Sequence, residues 1–596
     1  MSSVRRRFVA LVSAAFAGAA LLTVPVAAAA PAAAAPTARA TSGSSDLVVG
    51  YALDRPVCAT PRNPYAFTCM AVRRVDVAKG TPGARRYAIP RWARGPGGGY
   101  TPNALATAYR FNPNRGGWNQ VVGIVDWDGD PHIRADLNHF DRHYGLRTET
   151  SRSLRVVNEY GRSAPLPKAN RDAASEIALD VEAVRSVCHK CRILLVEAHS
   201  GTAASLARAE NTAVRLGATV VSNSFGALER SGHPFPASIV RAFNHPGVVI
   251  TASSGDEGYY SWDYVNAFLS GVPHAASFPA SLPNVVSVGG TTLSLNADGT
   301  RKSEVVWNSN GAADSRGISR SEPMGASGGG CSKLFRAPGW QRGLSGYRSA
   351  DCAGKRLPVD VAVAGDPATG LSVYDSYGVG GWAAIGGTSL SAPIVAGMWA
   401  LAGGAHGMGS PSRALYQNNR FRRSALNDVT VGGNGWCGGI ATSACSAAAT
   451  PYGSNNPNAV YGARVDCSFG FSSYVSRPPA KDPECNAASG YDGPSGVGTP
   501  RGLSAFRTTA PTVSASASWP RHPRRAITFT GHVHPVVSGT TIVRKKWYWG
   551  DATKPRTSLR HSVKHRYVKA GTYRVALRVT DNLGQVSTYT RHIRVR

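Results

Sequence analysis

The sequence predicts an α/β fold, a doubly wound and mostly parallel sheet covered by helices on both faces, followed by a small β-sandwich. Three observations predict it. Short, continuously apolar strands alternate with amphipathic helices between residues 121 and 288, the pattern of strands buried on both faces. After residue 511 the pattern changes to period-two strands separated by turn signals. The 596 residues, 42% of them hydrophobic, suffice for more than one domain.

Taken in order, 121–125 (Val-Val-Gly-Ile-Val) is an apolar strand, and 132–144 has helical spacing with Leu137, Phe140 and Tyr144 on one side. Residues 173–187 read as a helix, 193–198 as a strand, and 203–216 as a helix ended by Gly217. The strand 219–222, the helix 237–243 and the strands 248–252 and 285–288 continue the alternation. Polar residues fall just after strands, at Asp126, Ser224, Asp256 and, beyond 383–385, Ser389. In such sheets, sites form outside the carboxyl ends of the strands.

The first 40 residues read as a secretory signal: Arg5-Arg-Arg7, an apolar run over 8–26, then alanines that hide the cleavage point. A membrane anchor is the competing reading, and no later stretch is apolar for long enough to span a bilayer. Residues 41–99 form a short N-terminal extension, whose end at 91–99 is Arg- and Gly-rich like a linker. Ten cysteines fit an oxidising destination. Nearest-neighbour pairing gives Cys58/Cys69, Cys188/Cys191, Cys331/Cys352, Cys437/Cys445 and Cys467/Cys485. The CxxC at Cys188–Cys191 has no second CxxC to complete a zinc site, which favours a local disulfide. The net charge of +31 comes from 66 Lys and Arg against 35 Asp and Glu. Without basic runs interleaved with aromatics it reads as a dispersed surface charge that keeps the chain soluble in acid, not as a nucleic-acid site.

The chemistry concentrates in three places. Gly386-Gly387-Thr388-Ser389 turns into a small-residue apolar run, so Ser389 stands at a helix entrance where the dipole favours an oxyanion; Pro393 is expected in the first turn. Glu176 and Asp180 lie four apart on one helical face, a pair that repels unless it shares a proton. Asp256 sits among small residues in Ser253-Ser-Gly-Asp-Glu-Gly258, and when protonated it could donate to a developing oxyanion.

The set Glu-x-x-x-Asp (176–180), Ser-x-Ser-Phe-Gly (222–226), Ser-Gly-Asp-x-Gly (254–258) and Gly-Thr-Ser-x-x-x-Pro (387–393), in that order, resembles the sedolisins, serine-carboxyl peptidases with a subtilisin-like fold. The resemblance covers roughly 100–506 and implies a peptidase domain over 100–508. It implies Ser389 as nucleophile, Glu176 as general base, Asp180 as its proton-sharing partner and Asp256 as oxyanion stabiliser. Asp126 matches an acidic position that extends the carboxylate network, and Phe225 stands where the family often has tryptophan. An Asp–His–Ser peptidase is the alternative enzyme, but its His-Gly-Thr motif is absent; His199-Ser-Gly-Thr202 follows the wrong strand. A non-catalytic peptidase fold is the alternative class, against which all four key residues stand.

Asp428, Val429, Ala488, Gly490 and Asp492 resemble the family's calcium site, two carboxylates with backbone carbonyls, interrupted here by a long insertion at 436–484. The family usually carries a large folded prosegment, for which the region before residue 100 is short. In 511–596, Trp549-Gly-Asp551, His565-Arg-Tyr567, Gly571-Thr-Tyr573 and Val579-Thr-Asp-Asn582 resemble a PKD domain. Such a module binds polymer or protein, or serves as a spacer; the sequence does not choose. The expectation is therefore a secreted, monomeric acid endopeptidase acting on proteins and peptides, with one structural Ca2+, no membrane anchor and no nucleic-acid partner.

Overall fold

The computed structural model describes residues 47–595 apart from 60–62, 64, 82–83, 260–275, 310–324, 406–407, 409, 422–423, 435–482, 509, 520–525, 538 and 583–584. The signal segment, the calcium-site insertion and the pairs Cys437/Cys445 and Cys467/Cys485 therefore lie wholly or partly outside the described residues. Among those residues, no helix is long and apolar enough to cross a membrane.

The central sheet has eight strands. Along it run Arg301–Val306, Val286–Leu295, Val249–Ser253, Val220–Asn223, Val121–Trp127, Arg192–Ala198 and Leu154–Asn158, with Val361–Ala364 also paired to Val286–Leu295. All pairings are parallel except that of the Arg301–Val306 edge strand. The strands are apolar on both sides because both faces are covered. The helices Arg171–Val187 and Thr388–Leu401 contribute to the larger buried cluster, and Ala203–Arg215 and Ala237–Ala242 to the other. This is the doubly covered, mostly parallel α/β sheet that the alternation predicts.

The local signals hold. Asn170 caps the helix Arg171–Val187, accepting from Asp172 and Ala173 N–H. Thr202 caps Ala203–Arg215 through Ser205 N–H, which gives the His199-Ser-Gly-Thr202 segment a structural job. Gly217 has the positive φ of a helix terminator.

The N-terminal extension differs from its reading as a short piece joined by a linker. Leu47–Pro56, Val72–Val77 and Arg85–Pro90 build a second, five-stranded sheet with Leu371–Asp375 and Gly381–Gly386. The short strand Thr68–Cys69 pairs with Phe225–Leu228. Residues 91–99 do not form a loose linker. Ala93 and Tyr100 are fully buried, and Tyr100 N–H donates to the Gly370 carbonyl at 2.6 Å. Arg85, itself buried, bridges buried Asp54 and Asp366, tying the extension to the body. One consequence is that the strand leading to Ser389 belongs to this second sheet, not to the parallel one.

Three disulfides are described, Cys58–Cys69, Cys188–Cys191 and Cys331–Cys352, as nearest-neighbour pairing predicts. Cys485 is also disulfide-bonded.

The C-terminal region folds into two antiparallel sheets. One holds Thr512–Ser518, Ile527–His534 and Ser562–His565; the other holds Arg556–Thr557, Ile542–Tyr548, Gly571–Asp581 and Val586–Val595. Phe529, Trp547, Trp549, Val563 and Leu577 fill its core. Thr512–Ser518 escapes the sequence pattern because its inward residues are Val and Ala alternating with Ser, a weak contrast.

Candidate active site

The helix Arg171–Val187 is buried along both faces from Ala173 to Val187, so Glu176 and Asp180 project into protein, not water. The helix Thr388–Leu401 is buried all round. Ser389 lies in its first turn, fully buried. The two helices and the strand ends at Ser224 and Asp256 bring Glu176, Asp180, Asp256 and Ser389 together.

Gly387 makes the entrance possible. It has φ +91°, and a Cβ there would collide with the Met70 carbonyl oxygen and come within 2.6 Å of Asp256 Oδ2. The first helical N–H groups need acceptors. Thr388 N–H donates to Asp256 Oδ1 at 2.7 Å, and its hydroxyl donates to the same oxygen at 2.7 Å. Ser389 N–H donates to the Met70 carbonyl at 3.0 Å. Among the described residues, Asp256 Oδ2 is buried without a hydrogen-bond partner.

Pro393 lies inside the helix, one turn beyond its expected place. It has no N–H to give the Ser389 carbonyl four residues back. The Ser224 hydroxyl fills that gap, approaching the Ser389 carbonyl at 3.3 Å and Asp180 Oδ1 at 2.8 Å. Ser224 thus joins the acid pair to the backbone of residue 389. The Ser389 hydroxyl donates to the Ser224 carbonyl at 3.2 Å, and its nearness to Glu176 offsets part of the rise that burial gives that carboxyl.

Burial dominates the electrostatics. It drives Glu176 well above the ordinary carboxylate range, and the charges of Asp180 and Asp126 add to the rise. Asp180 is raised well above its range by burial and by Asp126. Burial lifts Asp126 to about 7. Asp256 is raised well above its range by burial, despite the two bonds from Thr388. Four neighbouring carboxyls therefore resist holding four charges. The alternative triad finds no support in the nearest motif: His199 sits beside Glu159, at 3.8 Å, and faces Tyr160.

The subtilase family pattern matches residues 169–462 and the PKD domain pattern matches 512–593. The chain is 26% identical over 366 residues to sedolisin of Pseudomonas sp. (strain 101), covering 59% of this chain and 59% of that protein. It is 30% identical over 347 residues to kumamolisin of Bacillus sp. (strain MN-32), covering 56% and 57%. A solved structure of Pseudomonas sedolisin, a serine-carboxyl proteinase complexed with two molecules of pseudo-iodotyrostatin, superimposes with a TM-score of 0.51 at 26% identity, covering 68% of this chain and 96% of that one. The chain thus holds a subtilase-family domain that is similar to the sedolisins, followed by a PKD domain. It is also 28% identical to xanthomonalisin of Xanthomonas sp. (strain T-22), over 56% of this chain and 42% of that protein. The chain spans about half the length of the curated relatives it matches.

In this sedolisin-like domain the residues of the expected metal site lie on two neighbouring loops. Asp428 is exposed, and its Oδ2 accepts Gly490 N–H at 2.9 Å. Asp492 is fully buried, and it accepts from Ala488 N–H and from Ser495. Burial lifts Asp492 to about 8, with the Asp428 charge adding to the rise. Val429 is buried between them and the Arg301–Val306 strand. The two carboxylates are thus joined through one short turn, Ala488 N–H donating to Asp492 and Gly490 N–H to Asp428.

Sequence reasoning missed Met70 and the bridging role of Ser224. Phe225 packs edge-on against Trp127 at 6.2 Å, so an indole still reaches this wall of the site from the neighbouring strand.

Proposed function

We propose that the chain is a secreted serine-carboxyl endopeptidase that hydrolyses peptide bonds of proteins at acidic pH through an acyl-enzyme on Ser389. One observation carries it. The Ser389 hydroxyl lies near Glu176, while Ser389 N–H donates to the Met70 carbonyl oxygen, which flanks Gly387 together with Asp256 Oδ2.

Glu176 takes the hydroxyl proton as Ser389 attacks the carbonyl carbon. Asp180 shares the resulting proton and is itself held by Ser224. The oxyanion receives two hydrogen bonds, from Ser389 N–H and from protonated Asp256 Oδ2. Glu176 returns the proton to the leaving amine, and water then resolves the ester by the reverse sequence. Asp256 can donate only while protonated, and the acid pair works with one charge between two carboxyls. Activity therefore belongs to acid and falls as rising pH ionises Asp256. A histidine base would show the opposite acid limb.

Asp428, Asp492 and the carbonyls of Val429, Ala488 and Gly490 would hold one Ca2+, which would neutralise the two carboxylates and clamp their loops. Proteins and peptides are the substrates, and the PKD domain supplies a non-catalytic surface for polymer or protein. The test is a protease assay across pH on the purified chain. Acid-limited cleavage that vanishes in Ser389→Ala is expected; undiminished cleavage by that variant would end the proposal.

A further inference from the structure

The cleft described above is filled by the chain itself. We propose that residues 67–71 are a built-in inhibitor loop bound as a substrate, with Met70–Ala71 in the place of the bond to be cut and open to slow self-cleavage. This rests on the peptidase reading of Ser389.

The loop pairs as a substrate strand would. Thr68 lies opposite Gly226 and Cys69 opposite Phe225, antiparallel. Met70 N–H donates to the Ser224 carbonyl at 3.2 Å, and the Met70 carbonyl accepts Ser389 N–H at 3.0 Å beside Gly387, which Asp256 Oδ2 also flanks. The Met70 side chain is buried, with its Cε 3.1 Å from where a Cβ on Gly226 would sit, so the glycine leaves the room it uses. Three residues before Met70, Phe67 meets Phe225, Phe235 and Phe278 at ring distances of 5.9, 6.4 and 6.2 Å.

The far side of the bond is held as firmly. Ala71 accepts Val57 N–H at 2.9 Å, and Val72 and Arg73 pair with Gly386 and Ile385, just before Ser389. The Cys58–Cys69 disulfide closes the loop, its sulfurs within 4.8 Å of a Glu176 carboxylate oxygen. It covers the acid pair and leaves Ser389 buried.

Attack follows the general scheme. Ser389 Oγ bonds to the Met70 carbonyl carbon, and its proton passes to Glu176. The C–N bond to Ala71 then breaks as Glu176 returns the proton to the Ala71 nitrogen. That amine stays in place, because Val72–Val77 remains paired with both Leu47–Pro56 and Gly381–Gly386. Held there, it re-forms the peptide bond faster than water reaches the ester, so the loop inhibits more than it is consumed. When water does enter, the products are a Met70 carboxylate and a free Ala71 amine. The same contacts define a preference for an unbranched apolar residue before the cut bond and an aromatic residue three positions earlier.

The test uses the full chain at about pH 4, near the ordinary carboxylate pKa. Mass spectrometry and N-terminal sequencing should find a fragment beginning at Ala71 in the wild type and none in Ser389→Ala. A quenched peptide containing Phe-Thr-Ala-Met-Ala should be cut by the wild type after a lag. Cys58→Ser/Cys69→Ser, which opens the loop, and Met70→Asp, which keeps the bridge, should remove the lag and raise the initial rate about tenfold or more, as expected when a mostly closed site opens. Equal, lag-free rates in all three, with no Ala71 terminus, would overturn the loop while leaving the peptidase reading intact. No hydrolysis by any of them would count against the peptidase reading instead. The loop would then be judged by binding of the labelled peptide in the Ser389→Ala background, where equal affinity with and without the bridge overturns it and about tenfold tighter binding without it supports it.

Discussion

The two folded regions of this chain differ in how they treat some of their acidic side chains. In the sedolisin-like domain, burial lifts Asp126 to about 7 and Glu197, Glu210 and Glu257 to about 8. In the PKD domain, Asp551 is only partly buried, and hydrogen bonds from Thr553 and His565 outweigh desolvation and hold it below the ordinary value. His565 in turn stacks on Trp549, with ring centres 4.3 Å apart. In the first region many acids are kept neutral by excluding water, although hydrogen bonds and arginines hold Glu159 and Asp366 charged against desolvation; in the second, donors keep Asp551 charged. The first arrangement is favoured as pH falls, whereas the second loses its stabilising charge in acid.

The largest expected break in this comparison is chemical. Ser389→Ala should lower kcat by about 10^6, as loss of a nucleophile does, and leave the PKD domain folded, checked by peptide hydrolysis alongside circular dichroism. Second, Trp547→Ala removes a fully buried ring from the sandwich core. It should destabilise that domain by about 3–5 kcal/mol while kcat on a small peptide stays unchanged, read by denaturant unfolding and by assay. Third, Asp256→Ala removes one donor to the oxyanion and should reduce kcat by about 10^2–10^3, with a flatter alkaline limb in the pH profile.

The smallest effect sharpens the contrast through pH. A carboxyl whose folded pKa lies above its unfolded value favours folding fully below the unfolded value, and that contribution is lost as pH rises through the folded value. For Asp126, Glu197, Glu210 and Glu257 the loss falls between ordinary carboxylate pH and about 8. The sedolisin-like domain should therefore melt roughly 5 °C higher at mildly acidic pH than at mildly alkaline pH. Asp551 has the opposite sign: its contribution is present above its unfolded pKa and disappears as pH falls through the lowered folded value. Hydrogen exchange followed peptide by peptide reads the two regions separately. Parallel trends in both would break the comparison.

Much of this was legible in the sequence because the signals were local. Glu176 and Asp180 share a helical face, and the helix cap at Asn170 is adjacent. The apolar runs at 121–125 and 248–252 needed no partner to be recognised as buried strands. The glycines around Asp256 and Ser389 marked places where backbones come close. What escaped was non-local. The strands of 47–90 carry mixed patterns, since their partners at 371–386 lie some three hundred residues away and no short-range signal names them. Met70 looked like any apolar residue beside a cysteine. Its role depends on where the second sheet sets the chain down. Pro393 was placed one turn early because the helix begins at Thr388, capped from outside by Asp256 and not by its own serine.

That proline leaves a mark beyond its own helix. By withholding a rung of the helical ladder, it makes the Ser389 carbonyl depend on a hydroxyl from a different strand, one that also steadies Asp180. Positions 224 and 393 are thus bound in a shared evolutionary fate. Descendants that restore an ordinary residue at 393 free the serine to drift, and those that keep the proline must keep the serine, so the two sites should covary across the lineage.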